Sequence, residues 1–338
     1  MKVPVRLCLT LGAFALAACS DSQAPDVQTP ELAKRGSTPL PQLSRPITKT
    51  ERSRPTQSEF NVGLRFLLDE AGGETPFKSV FLEAAARWEK LIVADKPDDT
   101  EDVPPNVCGI AGIPGITETV DDMIIDVIVQ PIDGPGQILG AAGPCWVRGS
   151  DFLTIYGIMF FDEADLGTIA TAGVLDEVIV HEMGHVIGVG TLWDAPALPE
   201  FGFEGRNLRQ GENTSNPFFV GTRANVAYNQ LGGVGFVPVE GDFGPGTRLA
   251  HWDEATFGNE LMTGFISLVG ASPLSDVTAG SLRDLGYVAH AQGEPYTLPT
   301  PTAAAQLNAS VGDPRKGGTS TEIDIGNREI LITQPKVF

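Results

Sequence analysis

The segment Val178 to Gly190, VIVHEMGHVIGVG, constrains this chain more than any other. Its apolar residues mark a strong helix from Val174 to Val189. On a helix, positions four apart share a face, so His181 and His185 can present two imidazoles to one ion. Glu182 lies one residue further round, close enough to act on an ion-activated water without itself being a ligand. The chain contains only four histidines. Two at this spacing on an apolar helix therefore read as the HExxH arrangement of zinc hydrolases rather than as two surface histidines. Gly188 stands three residues past His185, where a helix end needs a residue tolerant of positive φ. The chain can turn there and pass back beneath the metal.

A catalytic zinc site usually takes three protein ligands and a water. In the compact metzincin signature the third histidine follows that glycine within three residues, but here the position is Thr191. The remaining histidines are His251 and His290. A carboxylate about 20 residues beyond His185, Glu200 or Glu204, is a rival ligand of the thermolysin kind. With zinc in place to activate water and polarise a carbonyl, Glu182 is the expected general base. A second oxyanion donor could come from Tyr156, Tyr228 or Tyr287.

HEMGHVIGVGTLW at 181–193, TSNP at 214–217, HWDEATFGNELMTG at 251–264 and SLRDLGY at 281–287 together resemble the leishmanolysin-like peptidases, especially their bacterial members. AAARWEKLIVAD at 84–95 is also similar, so the resemblance runs from about Phe60 to Tyr287. It implies that His251 is the third ligand, reached after a long insertion, and that Met262 forms a supporting Met-turn beneath the metal. It further implies that substrate lies as an extra strand along a sheet edge, for which Gln137 to Ala142 is the candidate. Lengthening the gap between second and third ligands to about 65 residues adds only roughly 2 kcal/mol of loop-closure entropy. Zinc binding can release on the order of 10 kcal/mol. His290, outside every motif, reads as a surface residue.

The rest of the chain suits an exported α+β domain. Lys2 and Arg6 precede an apolar stretch, Leu7 to Ala18, too short to cross a bilayer. It ends in Leu16-Ala17-Ala18-Cys19, which resembles a bacterial lipobox. Residues 1–18 are thus expected to be a signal peptide, and Cys19 the lipidated residue of an envelope or extracellular protein. A plain secretory signal and free secretion are the alternative. Cys108 and Cys145 are then the remaining pair and are expected to form a disulfide, with two separate buried thiols as the alternative. Residues 19–58, rich in Pro, Ser, Thr and Gln, read as a disordered tether spanning roughly 30–35 Å.

A catalytic domain is expected over 59–290. The reading places a strand at Phe60 to Leu68, a backing helix capped by Thr75 and Pro76 with periodic apolar residues from Phe77 to Ile92, and strands at Met123 to Val129 and Thr154 to Phe161. These make a mixed β-sheet beside the active-site helix. Residues 190–250 show little periodicity. The tail, 291–338, carries a candidate hairpin around Gly326-Asn327.

A formal net charge of −20 argues against nucleic-acid and anionic-lipid partners. The expected partners are a polypeptide substrate and, through the N-terminal lipid alone, a membrane; a monomer is expected. Asp162, Glu163 and Asp165 form an acidic cluster that could hold Ca2+ or be a solvated loop. An active endopeptidase is the first functional reading; the second is a lipid-anchored binding or adhesion protein with a non-catalytic zinc site. The intact Glu182 favours the first.

Overall fold

The runs VGLRFLLD, MIIDVIVQ and TIYGIMFFD are apolar on both alternating faces, as strands covered on two sides must be. In the computed structural model they are β2 (Val62–Asp69), β3 (Met123–Gln130) and β5 (Thr154–Asp162), the centre of a seven-stranded mixed sheet. The structure describes residues 39–53, 59–69, 77–100, 102–300 and 321–337. The signal segment, Cys19 and the Thr75–Pro76 cap lie outside them.

β2, β3 and β5 run parallel, and β4 (Gly140–Val147) pairs antiparallel with β5 on one side of them. On the other side lies β1 (Ile47–Arg52), antiparallel to β2. This strand falls inside the stretch expected to be tether. Its side chains are mostly half-buried or exposed, so its place comes from backbone pairing with an open edge, which composition does not reveal.

One face of the sheet carries two helices. In α1 (Lys78–Glu89), Phe81, Ala84, Ala85 and Trp88 are buried. The α1 helix starts with Phe77 at its N-cap in the left-handed region (φ 64°) and ends before the periodic pair Leu91–Ile92. The indole Nε1 of Trp88 donates to the Val180 carbonyl at 2.9 Å, which fixes α1 against α3 (Leu175–Ile187). Arg87 adds a 2.7 Å ion pair with Glu177. Between β5 and α3 lies α2 (Glu163–Ala172), and here the acidic cluster takes on another role. Asp162 is the N-cap, accepting from the main-chain N–H of Ala164 and Asp165, and also from Ile132, Asp133 and Gly134. Asp165 accepts from Gly136 and pairs with Arg328. Asp162 and Asp165 are thus buried parts of the fold, while Glu163 is exposed and pairs with Arg45; among the described residues the three belong to no grouping able to hold a cation.

The opposite face is covered by the loops between α1 and β3. Beneath them Arg65 and Asp126 form a buried ion pair at 2.6 Å, with the Tyr156 hydroxyl donating to the same carboxylate. Cys108 and Cys145 are disulfide-bonded, tying these loops to β4. The segment 190–250 is more regular than its sequence implied. It forms α4 (Thr222–Gln230) and several two-residue strand pairs, which are too short to leave a period. After it come β6 (Phe265–Ser267) and α5 (Asp276–Leu285), the latter packed on α4.

Among the described residues of the tail, the two strands around Gly326-Asn327 do not pair with each other. β7 (Glu322–Asp324) pairs with β6, whereas β8 (Glu329–Leu331) pairs parallel with β4. β9 (Lys336–Val337) continues along β4. Alternating residues around Gly-Asn specify two strands and a turn, but not that the strands bond to each other.

Because the disulfide closes a loop of 37 residues, replacing both cysteines by alanine should lower the unfolding free energy by about 2–4 kcal/mol. Equilibrium urea unfolding measures this. Thiol titration of the denatured, unreduced chain should find neither cysteine reactive.

Candidate metal centre

Every residue of α3 except Asp176 is buried, and His181, Glu182 and His185 are each at most 1% exposed. The Nδ1 atoms of the two histidines meet main-chain carbonyl oxygens, of Leu261 at 2.7 Å and Val189 at 2.9 Å. A carbonyl oxygen cannot donate, so each Nδ1 carries the proton and each Nε2 turns a lone pair inward. Burial holds the His185 imidazole well below its usual pKa and therefore neutral.

His251 reaches the same point from far along the chain. Gly188 (φ 129°) ends the helix and Gly190 (φ 78°) turns the chain so tightly that a Cβ there would overlap the Ala250 carbonyl. This contact seats residue 250 against the end of α3 and brings in His251 beside it. The Nδ1 of His251 contacts the Thr247 carbonyl at 2.8 Å, so its Nε2 also faces the others. The three Nε2 atoms lie 2.9–3.1 Å apart.

With each ring neutral and its proton on Nδ1, three lone pairs face one another in a fully buried site, where their mutual repulsion has no solvent to relieve it. A shared cation removes the repulsion. Ligands on a tetrahedral zinc ion lie roughly 3.3 Å apart, within a few tenths of an ångström of this spacing. The residues fit such an ion.

Met262 lies beneath the helix. A Cβ on Gly184, between the two histidines, would meet Met262 Sδ at 2.8 Å and Trp88 Cζ2 at 2.7 Å. The turn that carries Met262 is held by Glu260, which accepts from the Met262 N–H and from Ser275 and Thr278 while fully buried. Leu261, in the same turn, supplies the carbonyl for His181.

Two carboxylates approach the imidazoles. Neither oxygen of Glu182 meets an N–H or hydroxyl donor. Burial, and then the negative charge of Glu329 beside it, raise its carboxyl well above the usual range. Glu329, on β8, places Oε1 2.9 Å from His251 Nε2 and Oε2 3.7 Å from the Nε2 of both His181 and His185. The four groups form one cluster able to hold an ion.

The rival ligands are absent from it: Glu200 and Glu204 are exposed, as is His290. The candidate oxyanion donors are engaged elsewhere, Tyr156 with Asp126 and Tyr287 with the Ile187 carbonyl, while Tyr228 packs on Phe257. The sequence reading missed Glu329, Glu260 and Gly184. Only Gly184 left a signal, a glycine inside an otherwise strong helix.

A zinc-hydrolase helix, a distant third histidine and a methionine turn beneath them define a metallopeptidase of the metzincin type. The family model of leishmanolysin matches residues 89–299. The chain belongs to the leishmanolysin family, and it is accordingly a metallopeptidase. No curated protein and no solved structure matches it.

The contacts at Gly184 predict that Gly184→Ala destabilises the fold by about 1–3 kcal/mol through overpacking against Trp88 and Met262. It should also weaken metal retention. Gly167→Ala, on the exposed side of α2 where an added Cβ meets nothing within 4 Å, should be neutral or stabilising by about 0.5–1 kcal/mol. Thermal unfolding with parallel metal analysis distinguishes the two.

Proposed function

We propose that this chain is a zinc-dependent endopeptidase, anchored in the cell envelope through lipid on Cys19, with His181, His185 and His251 as ligands and Glu182 as general base. The observation that carries this reading is the convergence of three buried, carbonyl-oriented imidazoles on one point. Bound there, zinc would supply the Lewis acidity that polarises a scissile carbonyl and makes water nucleophilic near pH 7.

The protein's own groups do the rest. The Leu261, Val189 and Thr247 carbonyls hold the imidazoles in the ligating tautomer. Glu182 is preceded in the chain by one ligand and is free of competing donors. It takes the proton of the attacking water and passes it to the departing amine. The matched region ends at residue 299, so the family resemblance bears on the catalytic domain alone.

Purified protein should contain one zinc per chain, and a chelator should abolish peptide hydrolysis. Glu182→Ala should keep the zinc and hydrolyse unfolded casein at least about 10²-fold more slowly. Parental activity in that variant would refute the assigned base. Cys19→Ser should move the exported protein from the detergent to the aqueous phase on partitioning; if the parent is already aqueous, the anchor is wrong.

A further inference from the structure

The edge of β4, expected to receive substrate, is already taken. Glu329, Ile330 and Leu331 stand opposite Gly140, Ala141 and Ala142. The ladder extends through Leu139 N–H to Arg328 O at 2.7 Å and Ile332 N–H to Ala142 O at 2.9 Å. On its other side the tail is held by β6, by Ile325 and Gly326 N–H on the Gly264 carbonyl, and by Asn327 accepting from Gly244. Gly246 is so close to the tail that a Cβ there would overlap the Gly326 carbonyl. Arg328 reaches across to Asp165 at 2.6 Å. The segment thus lies in a groove walled by β4 and by residues 244–267, with the three imidazoles beside it.

Resting on the zinc-peptidase reading above, we infer that residues 321–337 are a built-in occupant of the substrate groove, and that Glu329 is a fourth metal ligand which keeps the full-length chain latent. Three observations carry this. First, what the tail presents to the three Nε2 atoms is a side-chain carboxylate, 2.9 Å from that of His251, so the tail blocks the centre without offering a bond to cleave. Second, the Glu329 carboxylate is fully buried and, unlike Glu260 or Asp162, meets no N–H or hydroxyl donor outside the imidazoles, so a positive charge must offset its burial. Third, three imidazoles and a carboxylate make four protein ligands, the composition of a closed site, whereas a working one keeps a place for water. The tail lies outside the matched residues 89–299.

The test uses the full chain with cobalt(II) in place of zinc, in three forms: parental, Glu329→Ala and Ile332→Pro. Proline at 332 removes the N–H that bonds to Ala142 and leaves every ligand intact, so it reports on the latch should the alanine variant fold poorly. The parental cobalt spectrum should be indifferent to azide. In both variants azide should shift the visible bands, because a coordination place has opened. Peptide hydrolysis by the zinc forms should rise about tenfold or more in both, as expected when the competent state is a minor population in the parent. An azide-sensitive parental spectrum, or variants identical to the parent in spectrum and rate, would overturn the inference. If the spectra change as described but no form hydrolyses peptides, Glu329 is the ligand and the peptidase reading is the one that fails.

Discussion

Three imidazole lone pairs forced to within 3.1 Å of one another in a dry interior set the terms for this molecule. Such an arrangement is repulsive by itself, so the scaffold must both impose it and leave room for the charge that relieves it. Each ring is imposed in the same way, by a main-chain carbonyl on its Nδ1. All three carbonyls belong to irregular backbone, at residues 189, 247 and 261, which is why so much of the structure around the helix serves to fix loops.

That fixing is mostly steric. Gly190 lets the Ala250 backbone lie against the end of the helix, and Gly184 lets Met262 and Trp88 close on its side. Glu260, buried among Ser275, Thr278 and the Met262 N–H, holds the methionine turn to the start of α5. The centre is thus built from contacts in which a single added methyl group would displace a wall. Charge and packing meet again at Glu329, where an edge strand delivers a carboxylate to the same point.

Much of the frame was legible from residue patterns. The runs in β2, β3 and β5 are long, β-rich and apolar on both faces, so their strand character is local. The helix bearing His181 and His185 combines a 3.6-residue pattern with a chemical one. The strand β1 and the strand pairs between 194 and 238 were not legible, because their stability lies in backbone hydrogen bonds to distant partners. Asp162 and Asp165, which in sequence could belong to an ion site or a solvated loop, prove to be a helix cap and an ion-pair partner, since acidic residues satisfy any of these roles.

What the chain alone determined was the pair of histidines four residues apart, the glutamate between them and the glycine that ends their helix; all of these are set by the geometry of one helical turn. His251 was reached only through family resemblance, because no local rule relates residues on either side of a long insertion. Only the tertiary structure decided that Glu329 lies at the same centre and that the tail pairs with β4 and not with itself. Strand pairing and convergence on a point depend on three-dimensional distance, and a linear pattern holds no record of it.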